Sequence, residues 1–290
     1  MHRQRMILAL VAIAAVVGCA SVNEPDLSKM TFSETPLVGK AVWYDLITDD
    51  LEASKRFYGD LFGWTFEAGR GMEGAEYVLA RLDGVYVGGM VAREDPADGT
   101  EFSRWLPYFS VGNVDRSADA ARTGGGEVVA GPLDVRLGRV AVIVDPDGAA
   151  AGLARSDIGD PDDVTTAGAP GRMVWVELLA GDATAAASFY ESVLGCESRV
   201  VTRRGGDYTL LGSGSKDRAG ILENPTDWDP QWLTSFAVED PAAAAAQAEA
   251  LGGEVLLAPT PEVRDGELAL VTDPSGAVLA LQRWPMGAKE

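Results

Sequence analysis

Apolar and polar residues alternate along residues 41–47, which read AVWYDLI, and this two-residue period is typical of a β-strand. An aspartate pair at residues 49–50 can cap a helix, and apolar residues then recur at helical spacing as far as Gly63. Alternating stretches at residues 76–82 and 85–92 predict further strands. The first third of the chain therefore predicts one βαβββ unit.

The same order of elements begins again at residue 106. LPYFSV predicts a strand, VDRSADAART a helix that ends near Gly124, and three more strands follow, the last two joined by the turn DPDG at residues 145–148. Each unit leaves one sheet face without a helix. We therefore expect two units to curve into one cupped sheet with a cleft inside.

The chain carries this arrangement twice. VWYDLITDDLEASKRFYGDLFGW at residues 42–64 aligns without a gap with VWVELLAGDATAAASFYESVLGC at residues 174–196, and eight of the 23 positions are identical. WLPYFSV, GGEVVAGP and VDPDGAAAGLAR also return in altered form. The predicted fold class is α+β, with two tandem domains, each of paired βαβββ units forming a cupped mixed sheet. We expect the domains at residues 39–156 and 171–285, a linker at 157–170, and packing of one domain on the other as a pseudo-dimer.

The amino terminus predicts export and a lipid anchor. A basic start, an eleven-residue apolar run and the sequence VVGC resemble a bacterial lipoprotein signal, with residues 1–18 removed and Cys19 acylated. The apolar run is too short to span a bilayer. Residues 19–38 are polar and contain proline, so they predict a flexible tether. This places the protein in a bacterial cell envelope, on the exported side; an ordinary secretory signal or a short anchor is the alternative.

Charge narrows the choice of partners. The chain has 44 acidic and 24 basic residues, a net charge of -20, which disfavours nucleic acid as a partner and attracts cations. Only two cysteines occur, so acylation of Cys19 would leave Cys196 alone. Because the single histidine, His2, lies in the predicted signal, no mature histidine can activate that thiol, and Cys196 is interpreted as an apolar filler.

The repeated strand, helix and FYGDLFGW segment, followed by DPDG in the second unit, resembles the vicinal oxygen chelate superfamily, which includes glyoxalase I, extradiol dioxygenases and bleomycin-binding proteins. The resemblance covers both copies and is greatest to the tandem-domain, glyoxalase-related branch. It implies a divalent metal in the cleft of the enzymes, held by histidine, glutamine or glutamate. At the implied ligand positions this chain has residues that cannot ligate a metal: Trp43, Leu106, Gly152, Trp175, Leu233 and Ala280. We therefore expect no metal and no other cofactor.

Aromatic and acidic residues remain as candidates for binding. Strand alternation puts Trp43 and Asp45 on the cleft face of the first copy, and Trp175 and Glu177 on that of the second. Indole can stack on an aromatic or cationic ligand, and a neighbouring carboxylate can pair with its charge. The complete candidate set is Trp43, Asp45, Tyr77, Tyr108, Trp175, Glu177 and Tyr208. The alternative is structural: the indoles fill the former metal site, and the carboxylates accept hydrogen bonds from the protein.

Three functions are compatible with this sequence. The first is a lipoprotein without catalytic activity that binds or sequesters a small cationic or aromatic molecule. The second is a glyoxalase-related lyase or a dioxygenase-type enzyme that works without a histidine-bearing metal site. The third is an envelope interaction module whose clefts are filled by side chains. An open cleft beside Trp43 and Asp45 would favour the first function over the third.

Overall fold

The computed structural model describes residues 25–69, 75–93, 103–163, 168–203 and 206–284. Within these ranges, the first copy contains eight strands and two helices. Its elements in chain order are β1 (Ala41–Thr48), α1 (Leu51–Phe62), β2 (Thr65–Ala68), β3 (Tyr77–Leu82), β4 (Val85–Ala92), β5 (Arg104–Ser110), α2 (Val114–Thr123), β6 (Glu127–Val135), β7 (Gly138–Val144) and β8 (Ala150–Ser156).

The second copy repeats this order. Its elements are β9 (Met173–Ala180), α3 (Ala183–Leu194), β10 (Glu197–Arg203), β11 (Gly206–Ser213), β12 (Lys216–Glu223), β13 (Gln231–Val238), α4 (Pro241–Ala250), β14 (Val255–Leu257), β15 (Leu268–Thr272) and β16 (Val278–Arg283). A short 3-10 turn at Arg264–Gly266 precedes β15. Both copies therefore consist of two successive βαβββ units, as the sequence predicts.

Each copy forms one mixed eight-stranded sheet. The strand order is β2-β3-β4-β1-β5-β8-β7-β6 in the first sheet and β10-β11-β12-β9-β13-β16-β15-β14 in the second. β1 pairs with β4 in parallel and with β5 in antiparallel, and β9 pairs with β12 and β13 in the same way. The α+β class with two tandem domains is confirmed.

Local sequence explains where the first helix of each copy begins and ends. The Asp50 carboxylate accepts a hydrogen bond from the Ala53 amide at 2.8 Å, which satisfies an amide that the first helical turn leaves open. Asp182 caps α3 in the same way. Gly63 and Gly195 end these helices at φ of 73° and 72°, a backbone conformation that glycine adopts without steric cost.

The helix-bearing faces of the two sheets face one another. α1 lies against α4, and α2 lies against α3. One buried cluster joins Phe109 and Ile143 of the first copy to Leu178 and Tyr190 of the second, and another joins Phe57 to Phe236. Neither sheet buries its helix-bearing face without the other copy, so the two hydrophobic cores belong to the whole chain.

Two buried hydrogen-bonded triads cross between the copies. Trp105 Nε1 donates to the Tyr58 hydroxyl at 2.9 Å, and that hydroxyl hydrogen-bonds to Asp273 of the second copy. The matching triad has Trp232 Nε1 donating to Tyr190 at 3.0 Å, and Tyr190 donating to Asp145 at 3.1 Å. The repeated FY, WL and DP motifs thus meet at the boundary between the copies.

Residues 25–38, which the sequence predicts to be part of a flexible tether, have a defined course in the structure. Phe32 forms a β-bridge with Pro161, and the Leu37 amide donates to Asp160 at 2.7 Å. Lys29 Nζ donates to the Asp83 carbonyl in the turn between β3 and β4 at 3.0 Å. This segment therefore contacts both the first sheet and the linker.

The predicted signal and Cys19 lie outside the described residues. Within the described ranges, no helix has the length and apolar character needed to cross a membrane. Cys196 is half-buried with a free thiol, and burial raises its pKa to about 11. A thiol that stays protonated at neutral pH is a weak nucleophile, which agrees with the interpretation of Cys196 as an apolar filler.

Candidate functional site

Strand alternation divides β1 between the core and the cleft. Leu46 and Tyr44 pack with the helices, whereas Trp43 and Ile47 pack with a separate cluster on the opposite face of the sheet. Tyr108 on β5 belongs to this second cluster and pairs across the strands with Trp43. The structure thus brings the first-copy candidates together on the sheet face opposite the helices.

The Asp45 carboxylate is the centre of this group. Trp43 Nε1 donates to Asp45 Oδ1 at 2.8 Å, and the Tyr77 hydroxyl donates to the same oxygen at 2.8 Å. The Tyr108 hydroxyl also hydrogen-bonds to this carboxyl. Burial raises the pKa of Asp45, and the three hydrogen bonds oppose that rise only in part. The carboxyl is therefore surrounded by protein donors and is easier to protonate than an exposed aspartate.

Two glycines make room for the tyrosines. A Cβ at Gly89, which pairs with Asp45 across β1 and β4, would lie 1.9 Å from the Tyr77 hydroxyl. A Cβ at Gly152 would lie 2.2 Å from the Tyr108 ring. Gly152 is one of the positions where the resemblance implies a metal ligand. In this protein an aromatic ring occupies the space that the ligand's side chain would need.

The second copy holds its carboxylate in a different way. Trp175 Nε1 donates to the Tyr208 hydroxyl at 2.8 Å, and that hydroxyl donates to Glu177 at 2.9 Å. Arg264, which is half-buried, forms an ion pair with the same oxygen of the buried Glu177. Its other guanidinium nitrogen donates to Gln282 at 2.9 Å. Glu177 is therefore neutralised inside the protein, unlike Asp45.

The two copies differ because one arginine is placed differently. Arg264 lies in the 3-10 turn at φ of 46°, followed by Asp265 at 56°. Its counterpart in the alignment is Arg136, which lies in the turn between β6 and β7 and is exposed. Arg264 was not among the predicted site residues. The sequence signal for Arg264 is a VR pair that occurs at residues 135–136 and again at 263–264. This pair does not indicate that the second copy forms a 3-10 turn there.

Some positions that shape the clefts were also missed. Gly89 and Gly220 are matched in the two copies, and a Cβ at Gly220 would lie 1.7 Å from the Tyr208 hydroxyl. The two glycines align in the sequence, but a glycine inside a strand does not indicate which side chain of a neighbouring strand packs over it. The Arg203 guanidinium lies 4.0 Å from the centre of the Tyr208 ring, as a cation–π contact.

A cavity of about 1100 Å³ opens beside the first cleft. Trp43, Asp45, Tyr77 and Tyr108 line it, and Trp175 of the second copy borders the same space. Four residues of the amino-terminal segment complete one wall: Pro25, Leu27, Met30 and Phe32. The cavity is therefore shared by the two copies. Glu177 and Tyr208 are not among the residues that line it.

The residues at the implied ligand positions do not fit a metal ion. Trp43 and Leu106 offer no lone pair to a metal, and Gly152 is covered by the Tyr108 ring. Trp175, Leu233 and Ala280 occupy the matching positions of the second copy. Among the described residues, histidine, cysteine and carboxylate side chains form no group of three that could bind a metal. We therefore derive no catalytic step through a metal.

Two mixed eight-stranded sheets in tandem, each built from paired βαβββ units, define the fold class of this chain. A family model of the "Glyoxalase/Bleomycin resistance protein/Dioxygenase superfamily" matches residues 40–152 and 172–281. The chain therefore belongs to this superfamily, which confirms the resemblance that its repeated segments predict.

Two relatives align over most of the chain. "Putative glyoxylase CFP32" of Mycobacterium tuberculosis (strain CDC 1551 / Oshkosh) is 34% identical over 253 residues, which cover 84% of this chain and 94% of the relative. "Anthracycline biosynthesis protein DnrV" of Streptomyces peucetius is 32% identical over 262 residues, which cover 82% of this chain and 91% of the relative.

Solved structures support the fold. The Mn(II)-bound glyoxalase from Novosphingobium aromaticivorans has a TM-score of 0.59 at 17% identity, over 86% of this chain and 83% of that chain. The 2,2',3-trihydroxybiphenyl 1,2-dioxygenase from Sphingomonas wittichii strain RW1 has a TM-score of 0.55 at 16% identity, over 85% of this chain and 90% of that chain. At this identity the likeness concerns the fold alone.

Proposed function

We propose that this protein binds a small aromatic molecule in the cavity beside its first cleft without transforming it. One observation carries the proposal: Trp43, Tyr77 and Tyr108 border an open space of about 1100 Å³ that also reaches Trp175. Ligand pockets commonly enclose about 300–1000 Å³ and have mostly apolar and aromatic walls. The cavity is large enough for a planar molecule of several rings. An interaction module with filled clefts would need no such space.

The sequence predicts either a cationic or an aromatic ligand, and the contacts of the two carboxylates favour the aromatic one. Glu177 already pairs with Arg264, so it has no charge to offer a ligand. Asp45 accepts hydrogen bonds from Trp43, Tyr77 and Tyr108, and burial raises its pKa. The ring surfaces then contribute more to ligand binding than the acid does. The name of the Streptomyces relative agrees with this proposal, because anthracyclines are planar polycyclic molecules.

We further propose that the mature protein is a lipoprotein held to a membrane through Cys19. Pro25, which lines the cavity, follows Cys19 by six positions, and a fully extended chain of that length spans at most about 22 Å. Anchoring would keep the cavity close to the bilayer surface, where aromatic molecules concentrate. Substitution Cys19→Ala should move the protein out of the membrane fraction of its host, and unchanged fractionation would refute the anchor alone.

The second copy acts, in this proposal, as a pseudo-dimer partner of the first. Its sheet covers the helix-bearing face of the first sheet, and Tyr190 and Asp273 supply hydrogen bonds across the boundary. In its own cleft, Glu177 is paired with Arg264. One binding site per chain is therefore expected.

A glyoxalase-type lyase is the second candidate, because CFP32 is named as a glyoxylase and is 34% identical to this chain. Such an activity would have to use groups other than a histidine-bound metal. The assay is lyase activity on the hemithioacetal of methylglyoxal, with and without added divalent metals. Activity that is retained after chelation and lost in Asp45→Asn would replace the binding proposal with this one.

The binding proposal is tested with 1-naphthalenemethanol, a neutral planar aromatic molecule. Titration of the full chain, followed by tryptophan fluorescence and calorimetry, should give saturable binding at one site. Trp43→Ala should weaken it about tenfold, because the loss of one aromatic face is worth about 1–2 kcal/mol. Trp228→Ala is the control, since Trp228 does not line the cavity. Equal loss in both variants, or no binding at all, would contradict the proposal.

A further inference from the structure

The cavity has a different charge from the rest of the protein. The whole chain has 44 acidic and 24 basic residues. Among the residues that line the cavity, seven are basic and five are acidic. The cavity is thus a locally basic region within a protein of net charge -20. This reversal affects the choice of ligand, because local charge decides which groups can be held there.

Three of the basic side chains share one carboxylate. Asp163 in the linker lies 2.7 Å from Arg218, 3.1 Å from Lys40 and 3.9 Å from Lys216. The Arg218 side chain is 10% exposed, and its Nε is buried without a hydrogen-bond partner in the described part of the chain. Lys40 is also attracted by Asp162 and donates to the Pro161 carbonyl at 2.7 Å. This wall of the cavity therefore combines three cations with one guanidinium donor, Arg218 Nε, that has no hydrogen-bond partner among the described residues.

Two more arginines on the first copy also line the cavity. Asp134, the acid on the same strand as Arg136, is bound to Arg139 at 2.6 Å. Arg155 donates to the Ser156 carbonyl at 2.5 Å. Within the described residues, neither Arg136 nor Arg155 makes an ion pair with a carboxylate. Both guanidinium groups can therefore bind an anion in the cavity without first breaking an ion pair.

The aromatic end of the same cavity is suited to the apolar part of a ligand that also carries an anionic group. Trp43 and Tyr77 direct their polar hydrogens to Asp45, so their half-buried rings are left to contact an apolar body. Carboxylates and sulfonates bind guanidinium groups through two parallel hydrogen bonds, which are shorter and stronger than neutral ones. The cavity thus combines an apolar surface with a cationic wall.

We propose that the ligand is an aromatic acid, whose rings lie at the Trp43 end and whose anionic group is held by the cationic wall formed by Arg136, Arg155, Lys216 and Arg218. This inference rests on the proposed function, because it names the ligand class of the same cavity. It departs from the cationic ligand that the net charge of the chain suggests. The total charge is dominated by the outer surface, whereas the ligand meets the residues of the cavity.

Three probes with the same ring system separate charge from shape. They are 1-naphthoic acid, the neutral 1-naphthalenemethanol and the cationic 1-naphthylmethylamine, each titrated into the full chain at pH 7. We expect the acid to bind at least about tenfold more tightly than the alcohol, as one charge-assisted hydrogen-bond pair provides. The amine should bind more weakly than the alcohol, because it meets like charges.

Variants then locate the anion. If Arg136 and Arg155 hold the anion, the double variant Arg136→Gln/Arg155→Gln should reduce the affinity of the acid relative to the alcohol to about threefold or less. If Lys216 and Arg218 hold it, the double variant Lys216→Gln/Arg218→Gln should have the same effect. Alcohol binding should stay unchanged, which reports an intact cavity. Arg116→Gln is the matched control, because Arg116 is exposed on α2 and does not line the cavity. Thermal melting of each variant shows that it has folded.

Each outcome has a separate meaning. If the acid and the alcohol bind equally, the inference is overturned while the proposed function stands. If the amine binds most tightly, the inference is overturned in favour of a cationic ligand. If no probe binds, the proposed function fails, and the inference fails with it. If the acid binds best but both double variants keep its advantage, the cationic wall is not the anion site and the inference is overturned.

Discussion

Removal of one hydroxyl from the boundary between the copies should destabilise the whole chain. Tyr58 is fully buried, accepts from Trp105 Nε1 at 2.9 Å, and hydrogen-bonds to Asp273 of the other copy. In Tyr58→Phe the ring remains, but the indole donor loses its partner and the carboxyl loses one donor. Asp273 keeps the Ser275 and Ala277 amides at 2.9 and 3.0 Å, so its loss is partial.

The expected cost can be worked from these contacts. A buried donor left without a partner costs about 1–3 kcal/mol, and a hydrogen bond to a charged group contributes about 1.5–3 kcal/mol. Because Asp273 retains other donors, we expect a loss of about 2–4 kcal/mol in the free energy of unfolding. For a chain of this size that corresponds to a fall in Tm of about 4–16 °C. Tyr190→Phe should cost a similar amount, because the second triad has the same geometry.

Urea denaturation followed by tryptophan fluorescence measures this cost, with calorimetry to test for a single transition. Tyr44→Phe is the matched control, since the Tyr44 hydroxyl makes no hydrogen bond with any described residue; its effect should stay within about 0.5 kcal/mol. A change in Tyr58→Phe no larger than that of the control would show that the triad does not hold the copies together. Two separate transitions in the parent protein would contradict the shared core.

Three further predictions concern the clefts. Burial raises the pKa of Asp45, so the native state binds a proton more readily than the unfolded chain does. The free energy of unfolding should therefore fall as pH rises from the unfolded pKa near 3.9 through the folded pKa. In a series of thermal melts from pH 3 to 8, Asp45→Asn should remove this part of the pH dependence. Gly89→Ala puts a Cβ 1.9 Å from the Tyr77 hydroxyl and should lower the free energy of unfolding, measured in urea, by about 1–3 kcal/mol. Gly112→Ala, with open space around it, is the control and should lower it by less than about 1 kcal/mol; equal losses would contradict the close packing. Arg264→Gln leaves Glu177 buried without its cation and should cost about 3–5 kcal/mol at pH 7, a loss that Glu177→Gln in the same chain should partly restore.

Much of the fold followed from the sequence, because its signals are local and occur twice. Alternation in AVWYDLI, the cap at Asp50 and the left-handed turn at Gly63 each depend on a few neighbouring residues. The gapless repeat then fixed the order of elements in the second copy, since one βαβββ pattern applied to both. Alternation along β1 also separated Trp43 and Asp45 from the residues beneath the helices.

The tertiary structure decided which residues meet. The triads of Tyr58 with Asp273 and of Tyr190 with Asp145 join residues of different copies, and no local pattern specifies such a contact. The two clefts have similar sequences, yet a turn with positive φ places Arg264 against the carboxylate of one of them, Glu177.

The charge of the cavity likewise became visible only in three dimensions. Net charge sums over the whole chain, whereas a ligand responds to the side chains within a few ångströms of it. Arg136, Arg155 and Arg218 are far apart along the chain, and folding places them around one space. The sequence by itself therefore determined the family, the repeat and the faces of the strands. The packing of the two copies determined which charged side chains surround the cavity.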